Sequence, residues 1–272
     1  MATRGSRSFE TYFSHLGTKI RKKLGFEPAE SELDPKLAAR PLHFHAPPFT
    51  PELVAAIKLI SPQFRLRPTE RSRSFWERNQ NGLCWGEYET LEPWLKGLGT
   101  PQKVLDIGPG MGRSTVFLKN ILGWQEVPFH LYESSGEGTK YTKAGPRFDD
   151  SFCGSLDVLQ EVLSHNETPA VEIFDAADLD AKLSRLPGPY DLIYSFYAVG
   201  FHWSIEHFLD ELLGLMHEGS IGAFTLHDRF KGSPKLEQVP HRIVQHKKSW
   251  PRDRYSTLVV LSPSEETLAR VG

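Results

Sequence analysis

The chain predicts an α/β protein, a seven-stranded and mostly parallel sheet that ends in an antiparallel hairpin and is preceded by a helical extension. Three observations support this. From residue 103 onward, short apolar runs alternate with helical periodicity, which argues for a parallel sheet covered on both faces. A glycine-rich turn, with Gly108, Gly110 and Gly112, separates the first apolar run from the first of these helical patterns. Near the C-terminus two apolar runs are separated only by residues 249–254, too few for a crossover helix, so they should pair as an antiparallel hairpin.

The strands are expected at 103–107, 128–133, 170–174, 190–196, 220–227, about 241–248 and 255–261, with helices near 112–122, 153–165, 178–185 and 205–216. Ahead of the sheet, Phe9, Tyr12, Phe13, Leu16, Ile20 and Leu24 recur at helical spacing, and Lys19, Arg21, Lys22 and Lys23 follow late in the pattern. Such a basic amphipathic helix can pack on its own domain, meet a partner or lie on a membrane surface. Residues 25–50 read as a proline-rich connector. Thr50 then caps a helix with Pro51 at its first position and Leu53, Val54, Ile57 and Ile60 on its apolar face. Residues 62–78 carry five arginines and read as a solvated basic loop, with anion binding as the sharper alternative. A further helix is expected over 83–98. These signals divide the chain into 1–50, a helical substrate segment over 51–98, and a core over 99–272.

Composition sets bounds on function. Of 272 residues 39% are hydrophobic, and 32 basic against 34 acidic side chains give a formal charge of −2, so no global field favours nucleic acid. Two cysteines cannot form a disulfide framework and suit a reducing compartment. There is no run of eighteen apolar residues and no apolar core of a signal peptide, so the expectation is a soluble cytoplasmic protein.

The glycine spacing narrows the ligand. A dinucleotide fingerprint would require glycine where Arg113 stands. The pattern Asp106-Ile107-Gly108-Pro109-Gly110-Met111-Gly112 instead resembles the first motif of class I S-adenosylmethionine-dependent methyltransferases. That resemblance spans roughly residues 83–262. It implies a Rossmann-like sheet closed by a hairpin, with S-adenosyl-L-methionine as cofactor.

An acidic side chain at the end of the second strand, about twenty residues past the glycines, can accept from both ribose hydroxyls. The resemblance assigns that role to Glu133, against the plainer possibility of a surface glutamate at a strand end. It also implies that Asp175 holds the adenine amino group while the Ala176 amide meets the ring, although Asp175 or Asp178 could instead cap a helix. It further sets Ser195 and Phe196 among the cofactor-binding residues. The segment Ala198-x-x-x-His202-Trp203 looks like the region that lines the sulfonium and the acceptor in small-molecule enzymes. The aromatics there could equally be core.

Methyl transfer asks the protein mainly to orient the acceptor and, for a hydroxyl, to remove one proton. His202 is the candidate acceptor contact and His227 the candidate base, with Asp228 orienting or joining it. Each could equally be structural. No metal is assigned, since His227 and Asp228 fall short of a ligand set. Strand four lacks the Asn/Asp-Pro-Pro-Tyr/Phe signature of enzymes that methylate planar amino groups, and neither cysteine lies at that edge. The expected activity is therefore O-methylation of a small molecule, a sugar or other hydroxyl or a carboxylate. The alternatives are RNA methylation and a binding module that has kept the fold without catalysis.

Overall fold

The computed structural model describes residues 40–60, 66–134, 155–196, 198–201, 204–227, 233–244 and 256–272. The helix expected over 8–24 lies outside them. Six helices and seven strands follow among the described residues: α1 Pro51–Ile60, α2 Glu70–Leu98, β1 Val104–Ile107, α3 Arg113–Leu122, β2 Phe129–Glu133, α4 Leu156–His165, β3 Val171–Asp175, β4 Tyr190–Ser195, α5 Leu209–Gly214, β5 Met216–His227, β6 His241–Val244, β7 Ser256–Leu261 and α6 Glu265–Val271.

The sheet order is β3-β2-β1-β4-β5-β7-β6. The first five strands run parallel, and β7 pairs antiparallel with both β5 and β6. This is the arrangement the alternation and the short 249–254 connection predict. Strands β1 and β2 are buried at every residue, as parallel strands covered on both faces should be.

Successive side chains divide between two cores because a strand alternates faces. Val104, Leu131, Leu192 and Ala223 pack on one face with Leu91 and Leu95 of α2, Val116 and Phe117 of α3, Val162 of α4 and Leu268 of α6. Leu105, Ile107, Ile193 and Phe224 pack on the other face with Leu209 and Leu212 of α5.

Several expectations are corrected. The basic stretch and the 83–98 helix are largely one 29-residue helix, α2, so Arg71, Arg73 and Arg78 stand on a helix rather than in a loop. Thr69 caps its start by accepting from the Ser72 amide, and Arg73 pairs with Glu70 one turn away. Its periodicity is hard to see because its covered face is rich in polar residues. Asn81 Oδ1 accepts from the His43 and Phe44 amides at 2.9 and 3.1 Å, and Glu77 Oε2 accepts from Ala46 N at 2.7 Å. The helix thus binds the backbone of residues 43–46 through polar side chains, while Phe44 and Ala46 of the same strap join the apolar core beside Trp76.

The helix expected at 178–185 is a series of turns ending in a single 3₁₀ turn, Leu183–Arg185. Asp180 and Ala181 take positive φ, 50° and 56°, which a right-handed helix cannot include. The helix expected at 205–216 shortens to a 3₁₀ turn, Ile205–His207, followed by α5, and β5 starts at Met216 instead of 220. Helix α6 has no counterpart among the helices that the sequence pattern predicts. Ser264 caps it, and it packs back on α2. At the other end of the described chain, Thr50 caps α1 as expected, its Oγ1 accepting from Leu53 N at 3.1 Å.

Candidate active site

The strand order reverses direction between β1 and β4, and in an open α/β sheet ligands bind outside the carboxyl ends at such a point. The glycine turn lies there. Its three glycines all have positive φ, 69°, 59° and 72°, for different physical reasons. A Cβ on Gly108 would stand 2.3 Å from Ala198 Cβ, so the turn and the segment after β4 touch. A Cβ on Gly112 would stand 2.7 Å from Leu159 Cδ1, where α4 packs under the start of α3. Among the described residues nothing comes within 4 Å of that position at Gly110, so no described side chain covers the crest of the turn there.

Glu133 ends β2 beside this crest. Its Oε2 accepts from Gly110 N at 2.8 Å and its Oε1 from Ser134 N at 2.9 Å. A carboxylate only accepts hydrogen bonds and offers about four lone-pair sites, which is the chemistry that hydroxyl and amide donors require. The crest and the carboxylate set backbone and a hydrogen-bond acceptor side by side at the switch point of the sheet.

Asp175, at the end of β3, forms a local turn, its Oδ1 accepting from Ala177 N at 2.9 Å. The Ala176 amide donates to Glu133 O at 2.8 Å, and its methyl is buried. The expected contact of that amide with an adenine ring therefore has a competitor inside the protein. Ser195, fully buried, donates to Ile107 O at 2.7 Å and accepts from Val199 N at 3.0 Å. Its hydroxyl ties β1 to the turn after β4. Phe196 is buried against Tyr194, with ring centroids 5.1 Å apart.

The post-β4 segment joins the glycine turn to His227. Ala198 abuts Gly108, and Gly200 O accepts from His227 N at 2.9 Å. The His227 ring meets Phe201 edge-on at 5.4 Å. The structure thus brings His227 to the same carboxyl edge as the glycines. His202, Asp228 and Tyr197 lie outside the described residues.

Asp106 occupies a different setting from the turn it introduces. As the third residue of β1 it shares the face of Val104 and points under α3, where Thr115 Oγ1 donates to its Oδ2 at 2.7 Å. Tyr194 also bonds to it, and burial pushes its carboxyl up to about 7 against these hydrogen bonds. The same burial, with Asp106 next in importance, holds the Tyr194 phenol well above its ordinary range.

Sequence reasoning did not find the polar group beside this layer. Arg113, the first residue of α3, donates from both guanidinium ends to both oxygens of Glu87 on α2, and from Nη1 to Cys84 Sγ at 3.1 Å. Burial raises the Glu87 carboxyl, with the guanidinium pulling the other way, and it pushes the Cys84 thiol up to about 12. Arg113 was visible as the residue that breaks the dinucleotide spacing, but nothing local indicates Glu87 as its partner. Among the described residues no group of three or more His, Cys, Asp and Glu side chains could hold a metal ion, and no helix is long and apolar enough to cross a membrane.

No family model and no curated protein matches the sequence. Among solved structures, the O-methyltransferase TomG from Streptomyces achromogenes, in complex with SAM, is 14% identical over 78% of this chain and 90% of its own, at a TM-score of 0.45. An rRNA methylase from Streptococcus thermophilus is 16% identical over 66% of this chain and 96% of its own, at 0.43. A Methanococcus jannaschii fibrillarin pre-rRNA processing protein is 16% identical over 62% of this chain and 69% of its own, at 0.41. With β7 reversed and the glycine turn at the switch point, the described chain has the Rossmann-like fold of class I methyltransferases.

Proposed function

We propose that the protein is an S-adenosylmethionine-dependent methyltransferase acting on oxygen of a small molecule. The observation that carries the cofactor is the open crest at Gly110, with its amide held by Glu133 at the switch point of the sheet. Bound there, S-adenosylmethionine supplies an activated methyl group. The chain's own residues orient the acceptor and accept its proton.

In this reading Glu133 takes the ribose hydroxyls and Asp175 the adenine side, while His227 is the base for an acceptor hydroxyl. His202 and Asp228 are proposed beside it on sequence grounds. Residues 51–98 would shape the acceptor side. The RNA alternative is weakened by the basic stretch itself, because Arg73 is held by Glu70 and also donates to Ala46 O at 2.9 Å. At least part of that positive charge is already neutralised within the protein.

Titration of the full chain with S-adenosylmethionine and its demethylated product tests the cofactor. Absence of binding at sub-millimolar concentration of either overturns the proposal. Labelled methyl transfer into a fractionated extract then tells a small acceptor from RNA, or from no transfer at all. Single replacement of His202 and His227 by Ala tests the base. Unchanged turnover in both variants removes that assignment.

A further inference from the structure

The glycine turn is anchored at three places, and one of them lies on a helix remote from it in sequence. Glu133 holds the Gly110 amide at the crest, Leu159 packs beneath Gly112, and Arg113, directly after Gly112, is gripped by Glu87. The grip is two-pronged, with Nη1 to Oε2 at 2.8 Å and Nη2 to Oε1. Ser114 Oγ reaches the same Oε2 at 3.3 Å. Both side chains are withdrawn from water, at 11% and 2% exposure.

A buried pair of this kind is a poor source of stability, because desolvation cancels much of the attraction and apolar residues often serve as well. It does supply direction. A planar guanidinium matched at two points to a carboxylate fixes the orientation of the residue that bears it. The turn needs such fixing, since a stretch with three glycines at positive φ has many alternative conformations to lose.

We propose that Glu87 is a positioning residue which, through Arg113, holds the exit of the Gly108–Gly112 turn in its ligand-ready shape and so sets affinity for the adenosyl ligand. This inference rests on the S-adenosylmethionine reading of the turn. It makes α2 part of the cofactor site without direct contact. A change in α2, for instance when an acceptor is engaged, would be transmitted to the cofactor turn through this pair.

Calorimetric titration of the full chain with S-adenosylhomocysteine, paired with thermal melting, tests it in wild type, Glu87→Gln, Arg113→Lys and Leu91→Ala. Leu91 is a buried core residue one turn further along α2 and serves as the control for lost stability. Glu87→Gln and Arg113→Lys should each weaken binding about tenfold, the scale of one lost charge-assisted hydrogen bond. Leu91→Ala should lower the melting temperature while keeping affinity within about twofold. Equal affinity in wild type and both pair variants overturns the inference, and so does an equal loss in Leu91→Ala, which would mark the pair as merely structural. If Glu87→Gln does not fold, Arg113→Lys, which keeps the charge and loses the two-point geometry, decides by the same criterion. A wild-type chain that binds no S-adenosylhomocysteine overturns the cofactor reading and this inference together.

Discussion

Thr115 Oγ1 donates to Asp106 Oδ2 at 2.7 Å, joining the first strand to the helix that follows the glycine turn from beneath it. The acidic residue that opens the motif is therefore part of the protein's interior, 2% exposed, and its carboxyl is raised to about 7 by burial. Four expected outcomes follow from this layer and its surroundings.

Asp106 should make stability pH-dependent. Its folded value lies above its unfolded value near 3.9, so the native state binds more protons between the two. Its contribution is fully present below about pH 4 and is lost as pH rises through about 7. Melting temperature should fall from pH 5 to pH 8, and Asp106→Asn should flatten that slope by an amount on the order of a few kcal/mol at most. His130, lowered by burial, acts with the opposite sign, so the difference between wild type and variant isolates Asp106. A variant that keeps the wild-type slope would contradict this account.

Gly108 and Gly110 should respond differently to alanine. At Gly110 the new methyl meets no described atom within 4 Å and costs the left-handed backbone penalty, about 1 kcal/mol. At Gly108 the methyl also collides with Ala198, adding a further penalty of about 1–3 kcal/mol from overpacking. Denaturant melts should rank Gly108→Ala as the less stable protein. Gly110→Ala should show its larger effect on S-adenosylhomocysteine affinity, because its methyl fills the approach to the crest. The reverse ranking in the melts would refute the packing argument.

Lys119 is a buried lysine whose ammonium donates to three carbonyls, Trp124 O at 3.0 Å, Gln125 O at 3.1 Å and Val127 O at 2.6 Å. Burial lowers its value to about 8. It pins the connection between α3 and β2, so Lys119→Met should cost on the order of 3 kcal/mol, mostly from carbonyls left unpaired. A loss below about 1 kcal/mol in urea would show that water replaces the ammonium.

Ser195→Ala removes the tie between Ile107 O and Val199 N. The expected loss is about 2 kcal/mol, with Val199 N–H left buried and unpaired. Amide exchange at Val199 should quicken more than exchange at Leu192, which lies in the middle of β4. Equal protection at both sites would mean that the turn is held by other contacts.

The division between local and long-range information is visible residue by residue. Alternation of apolar runs, the glycine spacing and the 249–254 gap are short-range patterns, and they were enough for the sheet, its closing hairpin and the position of the turn. Thr50 likewise acts on a neighbour three residues away, so its role could be read directly, whereas the close approaches of Gly108 to Ala198 and of Gly112 to Leu159 could not. Helix α2 could not be read as a whole, because Glu77, Asn81 and Glu87 are polar residues whose partners lie 26 to 38 positions away. Burying them is favourable only once the strap and Arg113 are in place. The turns at 176–181 resisted for a related reason, since the Ala176 amide is bonded to Glu133 rather than along a helix.

Asp106 shows the same limit within the motif itself. From its neighbours it reads as part of a ligand site, whereas packing turns its carboxylate inward and changes its proton affinity. Local patterning of residues therefore established the fold class and the place of the glycine turn in it. Which side chains hold the turn from behind was settled by contacts that exist only in the folded chain. Burial and charge pairing are properties of neighbours brought together by the fold, and no single stretch of sequence encodes them.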